Sequence, residues 1–163
     1  MRRNLLQVGL VLMLGTAAQA GEDATVGRLL RMSAAELEAA YRAGSAASLP
    51  AGRYKGWPIA APGRPLRSKL GRIAWQGKVV DGPGTGLINR FFGVRVVRAE
   101  VAPGASWLDG GAATIVDYEH TSRLYRPYRD EIRLVVPGTY LGLMYDRGTS
   151  PPARKMAFVL QAE

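Results

Sequence analysis

The chain has no cysteine and a single histidine, His120, among its 163 residues. Without cysteine it has no disulfide, no thiolate metal site and no cysteine-linked lipid anchor. One histidine, with acidic residues that lack the spacing of a calcium loop, gives no metal-binding pattern, so we expect no bound metal. A Gly-x-Ser-x-Gly elbow and a phosphate-binding loop are also missing. We therefore assign no catalytic residue and expect no cofactor.

A hydrophobic run long enough to span a membrane is also missing. The N-terminal run from Leu5 to Gly15 is about eleven residues, against the roughly 20 that a membrane helix needs. It follows a basic start that contains Arg2 and Arg3, and it precedes Ala18-Gln19-Ala20, a small-x-small cleavage pattern. These features predict a secretory signal peptide at residues 1–20 and a periplasmic or secreted mature protein. The arginine pair leaves twin-arginine export open as an alternative to the general route.

Basic residues outnumber acidic ones but form no block. The sequence has 22 Lys and Arg against 13 Asp and Glu, a net charge of +9. Without Arg2 and Arg3 of the signal peptide, 20 basic and 13 acidic residues leave a charge of +7. The spread of arginine along the chain and the predicted export argue against a nucleic-acid partner. We expect at most weak, salt-sensitive contact with an anionic envelope surface.

The mature chain has the length of one domain. We predict a lead-in segment at residues 21–32 and a single β-barrel domain at 33–163. Ser33 and Glu36 form a capping-box pattern that starts a helix at 33–43, and Gly44 ends it. Pro65 opens a second predicted helix, near 65–76, whose apolar positions repeat about every 3.6 residues.

After these helices the pattern changes to strands. Strands are predicted near 52–60, 78–81, 87–101, 113–118, 131–136, 139–145 and 156–160, with a bend at Gly93 and a turn at Pro103-Gly104. Tight turns between sequential strands favour antiparallel pairing. Because the strands are apolar on more than one side, we predict a closed barrel. The predicted fold class is therefore mainly β, an antiparallel barrel with two short N-terminal helices.

Asp117 is the most informative acidic residue of the predicted strands. It falls on the same face as Ile115, and a carboxylate on an apolar face needs a partner. Arg129 and Arg133 in the following hairpin are the candidates. An ion pair at the barrel end and a polar anchor for a bound ligand are both open. Tyr and Trp in most predicted elements fit either a packed core or a cavity for an apolar ligand.

Several short motifs carry a resemblance to a family. Gly52-Arg53-Tyr54 resembles the Gly-x-Trp entry of lipocalins, and Asp117-Tyr118 resembles the Asp-Tyr of their second motif. The segments 52–56, 75–78 and 141–144 are similar to parts of small lipocalin-like (calycin-type) bacterial barrels of unknown function. The resemblance implies a closed antiparallel barrel around a small hydrophobic ligand. It implies no reaction.

We therefore predict an exported protein that binds or carries a small hydrophobic or amphipathic, lipid-like molecule inside a β-barrel. The residues expected to line or close the binding site are Tyr54, Trp75, Asn89, Asp117, Arg129 and Tyr145. One alternative is an acid–base enzyme in which Asp117 or Glu131 works inside the cavity. A second alternative is a basic scaffold protein associated with the envelope.

Overall fold

Eight antiparallel strands close into a barrel in a computed structural model, which describes residues 21, 23–59, 74–82 and 86–163. Each strand pairs with its neighbour in sequence, and the last returns to the first. This confirms the predicted fold class. The strands are β1 (Gly52–Ile59), β2 (Trp75–Gly82), β3 (Gly86–Phe91), β4 (Val94–Ala105), β5 (Ala112–Asp117), β6 (Tyr128–Val136), β7 (Thr139–Asp146) and β8 (Ala153–Ala162).

Two short helices, α1 (23–29) and α2 (Ala34–Ala43), precede the barrel. The capping box is present: the Ser33 hydroxyl accepts a hydrogen bond from the Glu36 amide, and the Glu36 carboxylate accepts one from the Ser33 amide. Because α1 spans residues 23–29, the lead-in predicted at 21–32 is partly helical. Among the described residues, no helix is long and apolar enough to cross a membrane.

The helix predicted at 65–76 falls mostly outside the described residues. Its last two residues, Trp75 and Gln76, belong to β2. The strand predicted at 87–101 is two strands, because Gly93 adopts a φ of 83° and forms a hairpin turn with Phe92. The turn predicted at Pro103-Gly104 is wrong, since β4 continues to Ala105.

Alternation along the strands divides the apolar side chains between the barrel interior and an outer layer. The interior cluster includes Leu49, Tyr54, Val80, Leu87, Val116, Ile132, Tyr140, Phe158 and Leu160. The outer cluster packs Val26, Leu29, Leu37 and Tyr41 of the helices against Ile59, Leu141, Leu143, Tyr145 and Val159 of β1, β7 and β8. These three strands are covered on both faces where the helices pack, which accounts for the apolar residues on both of their sides.

An irregularity at Gly77 sets the orientation of β2. The register with β3 shifts between Trp75 and Gly77, and the φ of Gly77 is 117°. A side chain here would collide with the Tyr54 carbonyl and come within 2.7 Å of the Gly56 amide. The extra residue brings Trp75 and Lys78, three positions apart, to the same inner face.

Candidate functional site

The two halves of the barrel interior are filled differently. In one half, the rings of Tyr54 and Tyr140 pack edge to face, with their centroids 5.8 Å apart. The Tyr54 hydroxyl donates a hydrogen bond to the Pro50 carbonyl at 2.9 Å. The other half holds a partly open cavity of about 150 Å³. Its apolar wall consists of Pro58, Trp75, Phe91, Met144, Met156 and Phe158. This cavity is the candidate binding site.

Four polar side chains form the floor of the cavity. They are Lys78 of β2, Asn89 of β3, Tyr118 directly after β5, and Asp130 of β6, and we call them the Lys78 cluster. Lys78 Nζ donates to Asn89 Oδ1 at 2.9 Å, to the Tyr118 hydroxyl at 2.8 Å and to Asp130 Oδ2 at 2.9 Å. Lys78 is 1% exposed and Asp130 is 2% exposed, so the ion pair is buried.

The remaining hydrogen bonds of the Lys78 cluster use up its other donors. The Tyr118 hydroxyl donates to Asp130 Oδ2 at 2.8 Å. Asn89 Nδ2 donates to the Val97 carbonyl at 3.0 Å and to the Tyr118 hydroxyl at 3.2 Å, while Trp75 Nε1 donates to Asn89 Oδ1 at 3.0 Å. Within the described part of the chain, Asp130 Oδ1 is buried without a hydrogen-bond partner. Asp130, a residue of the cavity lining, thus keeps one carboxylate oxygen as an unused hydrogen-bond acceptor.

Burial and neighbouring aromatic rings shape the electrostatics of Tyr118 and Lys78 in different ways. Burial, followed by the nearby Asp130 carboxylate, raises the pKa of Tyr118 well above its usual value of 10.0, so this phenol stays protonated. Lys78 Nζ lies 5.3 Å from the Phe158 ring centroid and 5.5 Å from those of Trp75 and Tyr118. These rings add cation–π attraction to the ion pair.

The predicted site residues divide between the two faces of the barrel wall. Trp75 and Asn89 line the cavity. Tyr54 faces the interior, in the filled half. The other three, Asp117, Arg129 and Tyr145, lie on the outer face.

Each outward residue is the chain neighbour of a cavity residue. Asp117 precedes Tyr118, Arg129 precedes Asp130, and Tyr145 follows Met144. Successive side chains of a strand point to opposite faces, which excludes the three predicted residues from the interior.

Asp117 forms an ion pair on the outside of the barrel. Its Oδ1 lies 2.6 Å from Arg147 Nη2 and also accepts a hydrogen bond from the Glu119 amide at 2.9 Å. The partner of Asp117 is therefore Arg147. It is neither Arg129 nor Arg133, the two candidates from the sequence.

Glu131, the other carboxylate of the acid–base alternative, is also outside the cavity. It is fully buried beneath the turn that follows β4. Its Oε2 accepts from the Ser106 hydroxyl at 2.5 Å, its Oε1 accepts from the Trp107 amide at 2.8 Å, and Arg129 Nη2 lies 3.3 Å away. Burial and the Glu131 charge raise the pKa of Tyr145 to about 12. The carboxylate that lines the cavity is Asp130.

Lys78, Tyr118 and Asp130 were not predicted from the sequence. Asp130 carried a signal of its own, because it shares a strand face with Ile132, an apolar residue. Lys78 likewise shares a face with Val80. Within the described ranges, no group of three His, Asp or Glu side chains is placed to hold a metal ion.

Comparison with known proteins identifies the architecture. No protein-family model and no curated protein matches the chain. A solved structure of a protein from Thermomonospora curvata matches with a TM-score of 0.56 and 16% sequence identity, over 90% of this chain and 99% of that chain. This likeness supports the barrel fold alone. The chain is thus similar in fold, over nearly its whole length, to that Thermomonospora curvata protein.

Proposed function

We propose that the protein binds a small apolar or amphipathic molecule in the barrel cavity. The apolar part of the ligand packs against the aromatic and Met side chains, and its polar end reaches the Lys78 cluster. The observation that carries this proposal is a mostly apolar cavity whose lining includes Asp130, together with the Oδ1 atom of this buried carboxylate, which has no hydrogen-bond partner among the described residues. An unsatisfied buried polar group costs about 1–3 kcal/mol. A ligand that satisfies it recovers part of that free energy.

The size and lining of the cavity favour a ring-sized group. A volume of about 150 Å³ matches an apolar cavity that accepts a benzene molecule. The ring centroids of Trp75 and Phe158 lie 5.4 Å apart and their planes form an angle of 75°, so the two rings make one rigid aromatic wall. Met144 and Met156 form an adaptable wall. A longer ligand extends through the open side of the cavity.

Binding fits this geometry better than acid–base chemistry does. The donors of the Lys78 cluster are engaged with each other, and Tyr118 keeps its proton because its pKa is raised well above 10.0. Sequential closure of eight strands is also the architecture of lipocalins, which hold a ligand inside the barrel. We therefore propose lipocalin-like binding. From the signal-peptide pattern we propose that the protein binds its ligand in the periplasm or outside the cell.

Filling the cavity tests the proposal. The probe p-cresol is expected to bind the wild-type protein saturably in calorimetric titration and to shift the indole N–H resonance of Trp75. Met144→Phe adds a ring to the cavity wall, so affinity is expected to fall about tenfold or more. Met32→Phe, the same change in the outer cluster, is expected to leave affinity unchanged. Absence of saturable binding, or equal affinity in the Met144 variant, contradicts the proposal.

A second candidate function concerns the loops at the cavity end. Phe92 is 69% exposed, Val94 is 57% exposed and Leu124 is 78% exposed. The β3–β4 turn and the β5–β6 loop that carry them are held together by the rings of Phe91 and Tyr125, whose centroids are 5.9 Å apart. Exposed apolar residues around an opening are typical of a surface that contacts lipid or another protein.

Charge favours an anionic lipid surface as the partner of these loops. Arg95 follows Val94, Arg123 precedes Leu124, and both arginines are exposed. Apolar and cationic side chains on the same loops fit the interface of an anionic bilayer. Contact there would place the cavity opening against the membrane.

Vesicle binding separates this candidate function from simple charge attraction. Wild-type protein is expected to cosediment with phosphatidylglycerol vesicles and not with phosphatidylcholine vesicles. The double variant Phe92→Ser, Leu124→Ser keeps the charge, and its affinity is expected to fall about tenfold or more because two apolar side chains no longer enter the lipid. Equal binding of both proteins, or equal binding to both lipids, contradicts the proposal.

A further inference from the structure

We infer that the cavity selects a neutral ligand with a hydrogen-bond donor, an alcohol, phenol or amide, over anionic ligands and ligands that only accept hydrogen bonds. This inference rests on the proposed function and specifies the ligand class. It follows from the hydrogen-bond inventory of the Lys78 cluster.

Lys78 has no hydrogen left for a ligand. An ammonium group carries three donors, and those of Lys78 go to Asn89, Tyr118 and Asp130 at 2.8–2.9 Å. A ligand carboxylate would have to displace one of these bonds. The positive charge at the cavity floor therefore does not amount to an anion-binding site.

The other donors of the floor are also engaged. The Tyr118 hydrogen goes to Asp130, and both amide hydrogens of Asn89 go to Val97 and Tyr118. Trp75 Nε1 donates to Asn89. Within the part of the chain that the structure describes, Asp130 Oδ1 is left without a donor, and a carboxylate oxygen can only accept a hydrogen bond.

Charge balance excludes ionic head groups. The charges of Lys78 and Asp130 neutralise each other, because Lys78 Nζ lies 2.9 Å from Asp130 Oδ2. A carboxylate would bring an uncompensated negative charge beside Asp130 Oδ1 in a buried site. A protonated amine satisfies that oxygen but adds a second positive charge beside Lys78. Tyr125 also lines the cavity, and because its hydroxyl both donates and accepts, it does not discriminate between head groups.

Four ring-matched probes test this selectivity on the wild-type protein at neutral pH. They are p-cresol as donor, p-methylanisole as acceptor, toluene without a polar group and p-toluate as anion. Calorimetric titration is expected to show p-cresol binding about tenfold tighter or more than p-methylanisole and toluene, with p-toluate weakest. Equal or tighter binding of p-methylanisole or p-toluate overturns the inference while the proposed function stands. Failure of all four to saturate overturns the proposed function and the inference with it.

Asp130→Asn is expected to reverse the order. The amide oxygen still accepts from Lys78 and Tyr118, and the amide nitrogen then donates into the cavity. With Lys78 no longer neutralised, p-toluate is expected to bind this variant at least tenfold tighter than p-cresol does. Asp117→Asn, the same change on the outer face, is expected to keep the wild-type order. An unchanged order in Asp130→Asn overturns the inference, and if that variant does not fold, the wild-type series decides.

Discussion

Lys78→Met is expected to lower the free energy of unfolding by about 3–5 kcal/mol, since removing one partner of a buried ion pair leaves the other charge uncompensated. Met has nearly the length of Lys, so loss of packing contributes little. The cost arises from Asp130, which is 2% exposed and, among the described residues, keeps Tyr118 as its one side-chain donor. Urea unfolding followed by circular dichroism measures the change.

A double substitution shows whether the ion pair causes this loss. In Lys78→Met with Asp130→Asn the floor carries no charge, and the new amide oxygen still accepts the Tyr118 hydrogen bond. The double variant is expected to recover about 2 kcal/mol relative to Lys78→Met alone, a clear departure from additivity. The matched control is the exposed pair Arg98 and Asp81, whose side chains are 67% and 43% exposed. Arg98→Met is expected to cost less than about 1 kcal/mol, and a similar cost for Lys78→Met contradicts the prediction.

A buried ion pair such as that of Lys78 and Asp130 adds little net stability to a barrel. Apolar packing of the same volume is often at least as stable as a buried ion pair. The Lys78 cluster lies where the packed half of the interior meets the cavity, so its polar groups face the space that a ligand would occupy. A binding role therefore accounts for its position better than a structural role does.

The fold could be predicted because its signals are local. The Ser33 capping box and the strand pattern each depend on a few neighbouring residues. Sequential antiparallel pairing then follows from the short connections between strands. The corrected strand and the corrected turn have local causes as well: Phe92 and Gly93 form a complete hairpin turn, and Pro103 is tolerated inside β4.

The site was harder to predict because it depends on which strand face points inward. In β7, Leu141 and Leu143 face the helices while Tyr140 and Met144 face the interior, so apolar residues occur on both sides. A sequence pattern of this kind does not define the inner face, and an error of one residue exchanges the faces. Asp117, Arg129 and Tyr145 are displaced from the cavity by that one residue.

The position of Lys78 depends on a second effect that the sequence does not reveal. A regular strand would place Trp75 and Lys78 on opposite faces. The register shift at Gly77 brings both inside, where Lys78 Nζ lies 5.5 Å from the Trp75 ring centroid. Glycine alone does not specify a bulge, so this pairing required the backbone.

Glu131→Ala is expected to be the second large effect, again about 3–5 kcal/mol of lost stability. The carboxylate is fully buried and attaches the turn after β4 to the barrel through Ser106 and Trp107. Its removal leaves the Trp107 amide without an acceptor and Arg129 without its buried partner, while truncation also leaves a cavity. Detachment of the turn is expected to speed hydrogen exchange at the Trp107 amide.

A surface glutamate provides the control for this experiment. Glu119 pairs with Arg147, but its side chain is 43% exposed, so Glu119→Ala is expected to cost less than about 1 kcal/mol. If Glu131→Ala unfolds at the same urea concentration as Glu119→Ala, and Trp107 exchange is unchanged, Glu131 does not hold the turn. The Glu131 variant is expected to lose the attachment of the turn after β4, which lies outside the barrel, while the residues that line the cavity are unchanged.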